Sequence, residues 1–399
     1  MSQIPLRVPL AIIGAGPAGL TAAIAAAQSG LTPTVFERSD TFTRVGGGIV
    51  VHSNGLRALE RLGLLESFKP LMFPCHELTL QLGNRWTLVN KYSALPIPQN
   101  YFAIVLRHQL HEHLLKAARK VASIHFGHRC TTIEERSRTV QLRFENGHTT
   151  ECDVLIGADG VHSKVRECLP VGVVSKSAGD AYLRGISEPA RNEETALEIW
   201  GTDGRRFGMA PLTHRQTYFY CSAPRGRWQE VLTGGLDAWI DSWRPYGRQV
   251  RDVLGRVAHW DLVSYDEPAE IRAAPWHSGR TFLIGDAAHA MTPNYGQGAN
   301  AAMVDALVLM ALLARSGEHH SSFEAIGPQY ESIRRSFVNQ TQTAAWRIGM
   351  VAQWRSPVMR VLRDAAFGTL SRLRPLARRD LLLVAGYNPR EDPFLRTST

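Results

Sequence analysis

The chain has 399 residues, 44% hydrophobic and 20% charged, with a formal net charge of +9. That length suits one large α/β body or two joined domains with an ample core. The longest unbroken apolar runs, such as Ala306–Ala314, fall short of the ~18 residues of a membrane-spanning helix, so no integral span is expected. The basic residues are dispersed until the C-terminal third and no nucleic-acid motif accompanies them, which excludes nucleic acid as an expected partner. Five scattered cysteines, Cys75, Cys130, Cys152, Cys168 and Cys221, form no C-x-x-C pair. Neither a disulfide framework nor a zinc site is expected, a lone catalytic cysteine stays open, and a reducing cytoplasm fits best.

In chain order, Leu10–Ile13 reads as a short buried strand, Pro17–Ser29 as an Ala-rich helix ending at Gly30, and Thr34–Glu37 as a second strand. Gly46-Gly47-Gly48 follows, then a helix around Gly55–Leu62. Residues 77–100 look like β-structure and turns. Arg107–Lys120 is an amphipathic helix, followed by strands near 122–130 and 138–145, a turn at Asn146-Gly147, and the strand Val154–Ile156. Between 178 and 275 aromatic and Thr residues become frequent, and alternation in Leu197–Trp200 and Thr217–Cys221 predicts a mostly antiparallel sheet. Thr281–Ile284 returns as a buried strand. From Gly298 onward the chain is chiefly helical, punctuated by Pro357 and Pro375.

Gly14-Ala15-Gly16-Pro17-Ala18-Gly19 joins the first strand to the first helix. Gly14 permits the tight turn, Gly16 lets a pyrophosphate approach the backbone, and Gly19 lets helix and strand pack closely. The helix start then favours the anion. Glu37 ends the second strand 23 residues after Gly14, where a carboxylate can accept from both ribose hydroxyls, and Arg38 follows it. Arg7 and Val8–Ala15 imitate a signal peptide, but cleavage would destroy this fingerprint, so that reading is rejected.

The fingerprint alone does not separate FAD from NAD. Two later segments do: Asp153-Val154-Leu155-Ile156-Gly157-Ala158-Asp159-Gly160, and Gly285-Asp286-Ala287-Ala288-His289 continuing through Pro293-Asn294-Tyr295-Gly296-Gln297-Gly298-Ala299-Asn300. With them, nearly the whole chain resembles the single-component FAD-dependent aromatic hydroxylases, the family of para-hydroxybenzoate and salicylate hydroxylases. The resemblance implies an α/β fold with a Rossmann-like FAD-binding domain, an inserted, mostly antiparallel substrate sheet and C-terminal helices. It divides the chain into FAD-binding parts at 1–76, 101–177 and 276–330, substrate-sheet parts at 77–100 and 178–275, and a helical region at 331–399.

The implied activity is hydroxylation of a small aromatic or heteroaromatic substrate with NADPH or NADH and O2, through a flavin C4a-hydroperoxide. Gly285 and Asp286 would hold the ribityl chain, and Pro293, Gly296, Gly298, Ala299 and Asn300 would form the loop and helix start facing the flavin. Arg107 matches the family's flavin-contacting arginine, and Gly48 lies near it. Arg44 is expected to meet the pyrophosphate or the pyridine nucleotide. Asp159 would support FAD and NAD(P)H use, or cap its own turn. His52 and His289 are expected to be packed beside the cofactor, and His319-His320 to lie in a solvated loop.

Ala345-Trp346-Arg347-Ile348-Gly349 and Gln353-Trp354 also resemble the C-terminal region of urate hydroxylases and zeaxanthin epoxidases. Another FAD enzyme, an epoxidase or oxidase, and a non-catalytic FAD-fold binding protein are therefore the alternatives. The Arg-rich stretch Arg347–Asn388 is expected to pack on the FAD domain or form a dimer contact, with peripheral membrane contact less favoured, in a monomer or homodimer. Within Arg205–Pro211, alternation puts Arg206, Gly208 and Ala210 on one face and Phe207 and Met209 on the other. A ring would sit beside the two small residues. Arg206 would donate to its oxygen, as the match to the urate hydroxylase branch also implies, and Tyr218 and Tyr220 would share that face.

Overall fold

The computed structural model describes residues 6–41, 47–83, 86–177, 179–188, 195–213, 215–316, 323–370 and 373–396. Arg44 and His319-His320 lie outside them. In the largest sheet, of eight strands, Leu6–Ile13 runs parallel to Thr149–Gly157 on one side and Pro33–Phe36 on the other. Thr281–Leu283 and Ser123–His125 continue the parallel order outward. Strands covered on both faces carry continuous apolar runs, and Leu10, Ala11, Ile12 and Ile13 are all buried. The helix Pro17–Gln28 is buried from Ala18 to Ala26 and packs against the helix Gly298–Ser316. Alanine serves both needs there, since it has the highest helix propensity and permits close approach.

The second large sheet has seven strands, in the order Val263–Asp266, Ala181–Ser187, Gln216–Ala223, Arg206–Thr213, Ala196–Trp200, Glu77–Leu82 and Trp86–Lys91. Two distant parts of the chain thus share it. Their junction, Ala196–Trp200 against Glu77–Leu82, is parallel, while the other pairings are antiparallel. One face buries Leu183, Phe207, Met209 and Phe219 against Trp243, Val250, Val253 and Leu254. To the mostly antiparallel sheet expected between 178 and 275 this covering layer adds the helices Trp228–Gly234, Leu236–Asp241 and Arg248–Leu254, which the sequence reading did not foresee. Aromatic composition pointed to strands. The spacing of Val250, Val253 and Leu254 at i, i+3 and i+4 is the helical signal that composition masked. The ladder Gly172–Ser177 with Ala269–Ala274 also crosses the division expected at 177.

The C-terminal helices divide between two supports: Asp380 and the Val384 carbonyl of the helix Arg374–Val384 accept from Tyr295 at 2.9 Å and Gln297 at 2.7 Å, as expected of this stretch, whereas the helix before it packs elsewhere. Phe367 of the helix Pro357–Leu370 sets its ring edge-on to Trp200, 5.1 Å between centroids, which seats that helix on the seven-stranded sheet rather than on the eight-stranded body. Its outer side leaves Val358, Val361 and Leu362 exposed. The sequence-based view of membrane spans also needs amendment, because Gly298–Arg315 passes by length and composition, with a mean hydropathy of 1.5. Within the fold 72% of that window is buried, as befits a core helix.

Candidate functional site

The turn after the first strand opens a long cleft. Gly14 has φ of +106°, and a Cβ there would stand 2.4 Å from the Ala158 carbonyl oxygen. A Cβ on Gly19 would stand 1.9 Å from the Gly14 oxygen, so the helix start presses directly on the turn. Gly16 meets nothing within 4 Å, leaving open space over the helix N-terminus. Glu37 borders the same space, its two carboxylate oxygens accepting from the Ala15 amide at 2.8 Å and the Ser39 amide at 2.9 Å. Arg38, Arg107 and Asp159 line this end with it. Asp159 accepts from Ser163 Oγ at 2.5 Å and the Val165 amide at 3.1 Å, and Ser163 in turn caps the short helix Lys164–Glu167. Both Asp159 oxygens therefore work within their own turn.

At its other end the cleft runs between Gly48, Arg107 and Asp286 to Pro293, Gly296, Gly298 and Ala299. Ala18 lines it, whereas Gly19, Gly285 and Asn300 do not. Asn300 is fully buried: its Oδ1 accepts from the His52 amide at 3.0 Å, and its Nδ2 donates to the carbonyls of Val50 at 2.9 Å and Gly296 at 2.8 Å. It fixes the loop's shape from behind. Burial raises the Asp286 carboxyl above its ordinary range, partly opposed by His289 and Arg107.

Beneath the Gly285 turn lies a buried ionic network that the sequence did not reveal. Asp305 Oδ2 accepts from the Gly285 amide at 3.0 Å and from His289 Nε2 at 2.5 Å, while Oδ1 accepts from Arg334 Nε at 2.7 Å. Arg334 also donates to Glu391 and, at 3.0 Å, to the Ala301 carbonyl. His289 and Arg334 hold the Asp305 carboxyl down at about 2 despite complete burial. Arg166 joins the two motif turns by donating to the carbonyls of Ala287 at 2.9 Å and Val161 at 2.7 Å.

A separate cavity of about 140 Å³ lies between the cleft and the seven-stranded sheet. Arg206, Tyr218 and Tyr220 all line it, with apolar walls from Leu78, Phe102, Ile104 and Ala210. The expected face is present: Gly208 pairs with Tyr220 and Ala210 with Tyr218, and the Tyr220 ring covers Gly208. Met209, expected on the opposite face, also reaches the wall. Arg206 is neither solvated nor free. It is 1% exposed, and its Nε and Nη2 donate to Glu198 Oε1 at 2.8 and 2.5 Å. Its Nη1 meets Tyr182 Oη at 3.4 Å and Asn294 Oδ1. Glu198, Tyr182 and Asn294 were not among the sequence candidates. Glu198, two residues before Trp200 on a strand of alternating pattern, and Asn294, inside the motif segment that follows Asp286, left readable traces.

His52 lines this cavity near the Tyr92 and Phe102 rings, at 6.0 and 5.9 Å between centroids. Burial lowers its pKa from 6.5 to about 4, so it stands neutral at pH 7. The unfolded chain therefore binds a proton between pH 6.5 and 4 that the native state refuses, and stability falls as pH drops through that window. A displacement of that size is worth roughly 3 kcal/mol. Replacement by glutamine (His52→Gln) is expected to flatten that part of the decline, read from urea denaturation at successive pH values. Burial pushes the thiols of Cys75, Cys130 and Cys152 up to about 12, whereas Cys168 is exposed.

The comparisons with known proteins agree with this geometry. The family model described as "FAD binding domain" matches residues 7–345. A 3-amino-4-hydroxybenzoate 2-monooxygenase of Streptomyces cremeus is 30% identical, over 82% of this chain and 83% of its own. The chain belongs to the FAD-dependent aromatic hydroxylase family. A 2-heptyl-3-hydroxy-4(1H)-quinolone synthase of Pseudomonas aeruginosa is 29% identical, over 92% of this chain and 94% of its own. The solved 2-methyl-3-hydroxypyridine-5-carboxylic acid oxygenase superposes with a TM-score of 0.77 at 25% identity, covering 96% of this chain and 97% of that one. Klebsiella pneumoniae HpxO, complexed with FAD and uric acid, reaches 0.79 at 24% identity, covering 94% and 97%, and so shows the shared fold. The chain is an FAD-dependent monooxygenase.

Proposed function

We propose that the cleft holds FAD along its whole length and that the cavity holds a single aromatic or heteroaromatic ring. The eight-stranded body then serves as a Rossmann-like FAD domain and the seven-stranded sheet as the substrate domain, with the boundary near 177 blurred by the ladder to 269–274. The chain's own residues support the fit. The empty space over Gly16, at a helix N-terminus, suits a pyrophosphate, and Glu37 retains free lone pairs for ribose hydroxyls. Arg38 and Arg107 add positive charge, and Asp286 turns a carboxylate with no partner among the described residues toward a ribityl chain. Pro293, Gly296, Gly298 and Ala299 face the ring system at the start of the helix Gly298–Ser316, whose dipole favours negative charge there.

The observation that carries this reading is the shared wall. Val50, Tyr218, Pro293 and Gly296 border both the cleft and the cavity, so a ring in the one lies against a cofactor in the other. FAD supplies the redox chemistry that spends NADPH or NADH on dioxygen, placing one oxygen atom on the ring and releasing the other as water. The protein orients the ring through polar groups on the sheet and excludes water with apolar walls. A cavity of roughly 150 Å³ lined by apolar groups accommodates one benzene ring, which sets the scale of the substrate. The reading is tested by NAD(P)H oxidation stimulated by simple phenols and pyridones, with a product 16 mass units heavier. Absence of any stimulation by FAD-loaded protein would reject it.

Asp286→Ala is expected to weaken FAD binding by roughly 1–3 kcal/mol, the scale of losing a charged hydrogen-bond partner. Fluorescence titration of the apoprotein checks this, and an unchanged Kd would remove Asp286 from the ribityl site.

A further inference from the structure

Resting on the ring-binding reading above, we propose that Glu198 makes the cavity a site for an uncharged ring bearing a hydroxyl or carbonyl, and a poor site for a ring carboxylate. Each of the two arginines lining the cavity is paired with a carboxylate, Glu198 in the lining and Asp266 behind it. Arg206 is buried and spends two donor nitrogens on Glu198, which also accepts from Trp200 Nε1 at 2.7 Å. Arg184, the other cation in the lining, reaches Asp266 at 2.9 Å. His52 is neutral at pH 7 because burial disfavours its protonated form, and Tyr92, Tyr182, Tyr218, Tyr220 and Tyr295 are ordinary phenols held above their usual titration range by burial. Asp180 lies outside the lining and is felt by Arg206 only through space.

A carboxylate entering this cavity must leave water and find a cation already claimed. It would also approach Glu198, a second anion in the same lining. Burying an uncompensated charge is costly, and like charges at short range add to the cost. A neutral oxygen meets neither obstacle. Arg206 Nη1 donates to Asn294 Oδ1 and, at 3.4 Å, to Tyr182 Oη, so a ring oxygen can take the place of the longer contact without disturbing Glu198. A ring O–H or N–H can in turn donate to Glu198 by taking the place of the Tyr220 hydroxyl, which bonds to it. The pair therefore acts as a donor and acceptor of no net charge.

The test compares matched rings by titration calorimetry on the oxidised, FAD-loaded protein: phenol against 4-hydroxybenzoate, and 2-pyridone against its 5-carboxylate. In the wild type the neutral member of each pair is expected to bind tighter by at least about tenfold, the scale of 1.4 kcal/mol. Glu198→Gln keeps the shape and frees the Arg206 charge, so the preference is expected to narrow or reverse. The double variant Glu198→Gln/Arg206→Gln, with no cation, is expected to refuse the carboxylates again. Equal or tighter binding of the carboxylates by the wild type overturns the proposal without calorimetry on any variant. A preference unchanged in Glu198→Gln that retains its FAD overturns it too. If no ring of either kind binds or stimulates NAD(P)H oxidation, the cavity is not a ring site and the ring-binding reading on which this proposal rests fails.

Discussion

Gly14→Val is expected to yield a protein that no longer retains FAD, losing at least about 3 kcal/mol of affinity, or more than 100-fold. Two effects combine. The residue sits at φ of +106°, which β-branched side chains resist, and its Cβ would lie 2.4 Å from the Ala158 oxygen. That oxygen belongs to backbone already fixed by the Ala158 amide bonding to Ile13 at 2.9 Å, so the first strand, the turn and the Asp159 segment must separate. Gly16→Val is the informative contrast. Its side chain enters open space, so the apoprotein should keep its melting temperature while FAD affinity falls. Flavin absorbance after desalting, together with thermal melts of the apoproteins, checks both. Normal flavin content in either variant would move the pyrophosphate elsewhere.

Arg334→Met is expected to cost about 3–5 kcal/mol of stability, because it leaves Asp305 and Glu391 as buried anions without their common cation. The pH dependence distinguishes this from simple loss of packing. In the wild type Asp305 is held at about 2, below its ordinary value of 3.8, so its contribution is complete above that ordinary value and is lost as pH falls from near 4 toward 2. Without Arg334 the carboxyl rises, and the acid-sensitive limb should move to higher pH. Chemical denaturation across that range measures both the magnitude and the displacement. A variant as stable as the wild type, with the same acid limb, would mean that the network contributes nothing net.

What the sequence made legible was local. The reasons for the three glycines of the first turn could be written down from their spacing, although only Gly19 is held by a neighbour in sequence, the Gly14 carbonyl, while the backbone that crowds Gly14 comes from distant Ala158. A period of two gives the face of Arg206 on one strand and of Tyr218 and Tyr220 on the next, and the pairing of Gly208 with Tyr220 is what makes the two faces one. The partners of those residues were hidden. Glu198 reaches Arg206 across a strand pair, and Asn294 reaches it from 88 positions away. The Asp305–Arg334–Glu391 network joins residues 29 and 57 apart, on elements whose docking no local pattern encodes. Asn300 and Asp159 show the opposite difficulty. Both belong to motif segments, yet their polar atoms serve the turns that shape the cleft.

The seven-stranded sheet separates two tasks by parity along each strand. On Arg206–Thr213 and Gln216–Ala223, residues of one parity anchor the helical layer through Phe207 and Phe219, and those of the other present Arg206, Ala210, Tyr218 and Tyr220 to the cavity. Substitutions at alternate positions can therefore alter which ring is accepted while the anchoring residues and their packing stay intact. Such exchanges still touch the fold, since Ala210 and Tyr218 are buried and Arg206 holds a buried ion pair, so drift on this parity has to preserve that packing. Within this chain the Glu198–Arg206 couple is the most informative place to look for such drift, since a single exchange of glutamate for glutamine resets the charge of the whole chamber.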